Sequence, residues 1–199
     1  MYGRRPDSLL LKARTMRQKI KSLTIASVCS ALGVVILLIG SWIEIMDLTA
    51  VFLASLLVVF AIEELGSPWQ YLVWLVTSAL ALLLLVSPSG KFCAFEYALF
   101  GGLYPILKYH IEKLPRTPAR VLKCLAFNLL FGLIMFASFK LFGLEEITLP
   151  VIGTLSKGGY FAILFILGNI VFVIYDILLT RLLLLYHRRW RKRIERFLK

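Results

Sequence analysis

The fold of this chain turns on EYALFGGLYPILKY, residues 96–109. The run is apolar enough to lie in a membrane-crossing helix, yet it sets Gly101, Gly102 and Pro105 between Glu96 and Lys108. Proline donates no backbone hydrogen bond, and its ring crowds the carbonyl four residues earlier, which belongs to Gly101. Gly102 lets a neighbouring helix, or a ligand, come close. The spacing predicts a kink over 101–105, tolerated where it is buried in a bundle or lines a cavity. Glu96 and Tyr97 fall on one side of it. Lys108 and Glu112, four apart, form an ion pair on the other.

The flanking sequence is of the same kind. The 199 residues are 60% hydrophobic with a mean hydropathy of +0.85, above ordinary soluble domains. Several runs of 18 or more residues are almost uncharged, which predicts an all-α, polytopic membrane bundle. The short alternating segments of an outer-membrane barrel are absent. Spans are expected at 23–43, 49–65, 69–87, 93–111, 120–142 and 159–185, six in all. The net charge of +12 is unevenly placed. Of 23 Lys and Arg, seven precede the first span, five surround the 4–5 connection and eight lie at the C-terminal end. Lys91, Lys140 and Lys157 fall on the other side. The positive-inside rule then puts both termini in the cytoplasm, and an odd number of spans would break it. A basic lead of over twenty residues and a long apolar core exclude a cleavable signal peptide for the first span.

Three regions follow: a basic amphipathic segment at 1–22, a six-helix membrane domain at 23–187 and a basic helical tail at 188–199. In the first, Leu9, Ala13, Met16 and Ile20 recur at helical spacing among basic residues, as in a short helix lying on the cytoplasmic leaflet. In the last, the stripe Leu183, Tyr186, Trp190, Ile194 and Phe197 is set among seven basic residues from Arg188 onward. Both ends suit anionic lipid. Nucleic acid is not an expected partner, because no recognition fold accompanies the charge. Loop 5–6, the longest, is expected outside, either folded over the mouth of the bundle through its LPVIG centre or as a plain surface loop.

Ionisable and amide groups in a bilayer are costly, which makes them candidates for function. Glu96 and Lys140 are expected at similar depth near the outer surface, as an interhelical tether or as ligand contacts. Asn128 and Asp176 lie in the cytoplasmic half, and Asn169 shares a helical face with Asp176. Interhelical hydrogen bonding accounts for that inner group. Tyr97, Tyr104 and Trp42 join Glu96 and Lys140 as expected ligand contacts, since small-molecule sites set a few polar groups among aromatic ones.

Enzyme readings fail on particular residues. Glu63-Glu64 is similar to the paired glutamates of CAAX-processing proteases, but Pro68 stands where that motif wants arginine. Such a site also needs intramembrane histidines, whereas His110 and His187 lie at cytoplasmic ends of spans. SPSG at 87–90 is an outer loop without a histidine partner for a rhomboid-like serine. No P-loop glycine pattern appears. Cys29, Cys93 and Cys124 have no metal-ligand spacing and read as small packing residues. Neither an enzymatic activity nor a cofactor is expected.

Span 1 opens KSLTIASVCSALGVVILLIG, with Ala26 and Ser30, and Ser27 and Ala31, four apart on adjacent faces. Small residues at that spacing let a second helix approach, within the chain or from a partner. With the basic N-terminus and six apolar helices in about 200 residues, the layout resembles an S component. These are the substrate-capturing subunits of energy-coupling-factor vitamin transporters. The resemblance implies that Ser27 and Ala31, or Ala26 and Ser30, face a membrane coupling subunit, with ATPases on other chains. It also implies a bacterial plasma membrane and a ligand cavity in the outer half, covered by outer loops. The 1–2 connection, around SWIEIMD, is shorter than such a lid, and no vitamin-specific signature is present. The expected function is therefore capture of a small water-soluble metabolite. The alternative is a membrane scaffold or assembly factor working through its basic terminal helices.

Overall fold

The structure, a computed structural model, describes residues 6–43, 46–142, 157–186 and 188. Every regular element among them is helical: α1 (Pro6–Trp42), α2 (Asp47–Glu64), α3 (Trp69–Leu84), α4 (Pro88–Glu96), a π turn (Tyr97–Gly101), α5 (Leu103–Ile111), α6 (Arg116–Phe142) and α7 (Lys157–Leu185). Taking α4, the π turn and α5 as one rod, each expected span has a helix.

Among the described residues, three helices are long and apolar enough to cross a membrane, with spans Met16–Trp42, Arg116–Ala137 and Ala162–Leu185. The apolar part of α3, Trp69–Leu84, is shorter. At 1.5 Å per residue it reaches roughly 24 Å, a little under a hydrocarbon core of about 30 Å. Outward faces are apolar too: Ile39 and Leu125 are each 61% exposed and Ile166 is 62%. Water would leave this surface unprotected, whereas lipid matches it.

Helix α1 runs unbroken from Pro6 to Trp42. From Pro6 onward the leading segment expected to lie on the leaflet is therefore continuous with span 1, because within this helix no proline follows Pro6 and no glycine comes before Gly33. Helix α2 starts on Asp47, whose charge suits the N-terminal dipole. It ends where Gly66, at φ +68, donates to the Ala61 carbonyl at 3.0 Å, a left-handed cap that favours glycine. Ser87 caps α4 by accepting from Gly90 N at 3.1 Å, with Pro88 following as the first helical residue. The helix thus begins five residues before the span expected from 93.

The chain divides into two compact units, Met1–Gly143 and Leu144–Lys199. In the first, α1 packs on α2 and α3, and the broken fourth rod packs on α1, α2, α3 and α6. Helices meet through small residues. A Cβ on Gly40 would lie 2.2 Å from that of Ala50, and one on Gly33 would lie 2.9 Å from Thr77. Ala54, Ala61, Ala81 and Ala94 complete the closest part of the core. This is how helices associate in lipid, where apolar burial between them gains little. The second unit is described by α7, on which Phe172, Tyr175 and Leu179 are buried at helical spacing.

Candidate functional site

The fourth rod organises the polar residues of the first unit. Pro105 cannot donate to the Gly101 carbonyl, and the backbone has already widened one turn earlier. There Gly102 N reaches Tyr97 O at 2.7 Å, a five-residue bond. In a regular helix Gly102 N would serve the Ala98 carbonyl. That carbonyl instead accepts from Trp74 Nε1 of α3 at 2.9 Å. The indole lies against Gly102, and Val51 of α2 lies against Gly101. π turns of this kind occur frequently at functional sites.

Glu96, the last residue of α4, is half-buried. Its neighbours are Cys93, one turn earlier, and Asp47 at the start of α2, with which its carboxylate interacts electrostatically. The Cys93 thiol points to the Asp47 carbonyl at 3.9 Å. These three do not converge as metal ligands. They form an acidic group at the end of the unit that carries the α1–α2 and α3–α4 connections.

Tyr97 follows Glu96 but turns away from it into the core, fully buried. Its ring lies against Gly101 and Gly102, and its hydroxyl is directed at Thr77 without closing a hydrogen bond of good geometry. Thr77 Oγ1 in turn reaches the Ser30 carbonyl at 3.5 Å. Tyr104 is also fully buried and stacks on Phe100 at 5.4 Å, which meets Phe127 of α6 edge-on at 5.6 Å. Trp42 stands apart, 88% exposed at the end of α1. Lys140 lies on α6, and its side chain falls outside the described residues, as do loop 5–6 and the tail from 189.

The two faces of α1 separate. Ala26 and Ser30 are buried inside the first unit, whereas Ser27 and Ala31 are exposed. Ser27 Oγ donates to its own helix, to the Leu23 carbonyl at 2.9 Å. Asn128 and Asn169 likewise donate to carbonyls four residues back, each at 2.9 Å.

Sequence reasoning missed the polar residues of α3. Both amide atoms of fully buried Gln70 and the hydroxyl of Ser78 lack a hydrogen-bond partner among the described residues. The available signal was three polar side chains, Gln70, Thr77 and Ser78, in an otherwise apolar span, a pattern that marks the inward face. At the opposite end from Glu96, Lys108 is buried and pairs with Glu112 at 3.4 Å, as the spacing predicts. Lys123 of α6 reaches the same carboxylate at 3.1 Å.

Comparison with known protein families, with characterised proteins and with solved structures finds no match. Fold and site together define a class: an all-α protein whose apolar helices can cross a membrane, with polar side chains gathered inside and at the ends of its first unit.

Proposed function

We propose that this protein is a multi-pass membrane protein of six spans, with both termini cytoplasmic. It captures a small water-soluble metabolite in the manner of an S component, with a coupling subunit and ATPases supplying energy. The observation that carries this reading is Glu96: a carboxylate half-buried in an apolar rod, beside Asp47 and directly before a π turn. A charge kept at such a place is costly unless it has a use. With Val51 and Trp74 closing the glycines, the ligand lies at the Glu96 end rather than at the kink.

The test is retention. Protein purified in mild detergent should release a small molecule on denaturation, identifiable by mass spectrometry. Glu96→Ala should weaken its rebinding by about 10- to 100-fold, the usual worth of a charge-assisted hydrogen bond. Unchanged affinity would remove Glu96 from the site. No retained molecule, and no coupling subunit on co-purification, would end the capture reading.

A second reading, a membrane scaffold or assembly factor acting through its basic terminal helices, is favoured by the same glycines. Both are filled by side chains of the chain itself, as expected of a dry bundle. Co-purification with other membrane machinery, and no ligand, would select it.

A further inference from the structure

The turn between α5 and α6 carries an unbalanced cluster of charge. Lys108, Lys113, Arg116, Arg120 and Lys123 lie within sixteen residues that hold one acidic side chain, Glu112. That carboxylate is shared by Lys108 and Lys123. Arg116 and Arg120, one turn apart on α6, are exposed and have no ion-pair partner among the described residues. Lys113 is held over the Tyr109 ring at 4.3 Å, which keeps its ammonium at the turn. Like charges four apart on a helix repel, so this arrangement is suited to an anion placed between them. Guanidinium groups match the geometry of a phosphate oxygen pair.

The surroundings choose the source of that phosphate. Leu114, Tyr109, Val121 and Leu125 are exposed beside the cations. Cations, an aromatic ring and apolar side chains side by side are the pattern of a membrane–water boundary. We infer that the α5–α6 turn binds the headgroup of an anionic phospholipid through Arg116 and Arg120, with Lys113 at its edge. The inference rests on the membrane reading but not on ligand capture. It places lipid recognition at a turn inside the chain, separate from the basic ends.

The full chain in neutral detergent, titrated with phosphatidylglycerol while its thermal unfolding is followed, tests this. Each cation near an anionic surface is worth about fivefold in affinity. R116Q/R120Q should therefore raise the half-saturating lipid concentration by about 25-fold. R116K/R120K should stay within a few-fold of wild type, and Lys91→Gln, exposed at the other end of the unit, should leave the value unchanged. If the double glutamine variant fails to fold, Arg120→Gln alone should give about a fivefold loss. A wild-type response in the glutamine variants, or the same loss in Lys91→Gln, would overturn the assignment. So would equal stabilisation by phosphatidylcholine, or by inorganic phosphate at the same concentration. Release of the chain from membranes by alkaline carbonate is a separate result that would remove the membrane reading itself.

Discussion

Replacing Gly102 by alanine sets two effects of opposite sign against each other. Gly102 has φ −87 and ψ −35, ordinary right-handed helix, so the backbone accepts alanine. Helix propensity alone then predicts stabilisation by about 1 kcal/mol. Packing predicts the reverse. The new Cβ would lie 2.3 Å from Trp74 Cδ1 and 3.2 Å from Tyr97 Cζ. The indole must move by about 1 Å to restore ordinary contact, which breaks its 2.9 Å bond to the Ala98 carbonyl. That carbonyl has no alternative donor, since Gly102 N already serves Tyr97. An orphaned carbonyl in this part-buried, apolar setting costs about 1–3 kcal/mol and overpacking another 1–3 or so. Against the propensity gain, the net loss is about 3 kcal/mol. For a chain of this length that lowers the unfolding midpoint by roughly 6–12 °C, measurable by circular dichroism in detergent. In a Trp74→Ala background the clash is gone, and Gly102→Ala should become neutral or mildly stabilising. A midpoint unchanged or raised by Gly102→Ala alone would refute the close approach and the role given to Trp74.

Three other outcomes follow from the same geometry. Gly66→Ala, at φ +68 with open space around it, should cost about 1 kcal/mol from backbone strain alone, read as a small fall in the unfolding midpoint. Glu112→Gln leaves two lysines without their shared carboxylate, one of them almost fully buried. It should destabilise by about 1–3 kcal/mol in the same assay, and Glu112→Asp should cost less. In a cysteine-free background, a membrane-impermeant thiol reagent added to sealed cells should label Ser89→Cys and not Lys113→Cys. The opposite pattern would reverse the proposed orientation.

Much of the helical layout could be read directly, because long apolar runs bounded by charge leave few alternatives in lipid. The Lys108–Glu112 pair was legible for a similar reason: it is local, and helix geometry alone brings residues four apart together. The start of α4 was missed although its signal was present, since Ser87-Pro88 is a cap followed by a first-turn proline. The relief of Pro105 was only partly legible. A proline and two glycines locate the disturbance, but the π turn at 97–101 depends on a donor for the Ala98 carbonyl. That donor is Trp74, 24 residues away. A tryptophan in an apolar span gives no sign that its N–H serves a distant carbonyl.

The same contrast explains why hydrophobic periodicity failed to tell inside from outside. In water a buried face differs from an exposed one by polarity. Here Leu37 is buried while Ile39 and Leu125 face outward, and all three are equally apolar. Size carries the distinction instead. Ala26, Ser30, Gly33 and Gly40 line the inner face of α1, and Gly101 and Gly102 the inner face of the fourth rod. Substituting any of these glycines brings a new atom against another helix. A bundle assembled by such close contact leaves little room at its centre. A soluble ligand is therefore proposed at the end of the unit, beside Glu96 and Asp47, rather than at its centre. The proposed site borders this packing through the π turn that directly follows Glu96, so enlarging Gly102 should disturb both together.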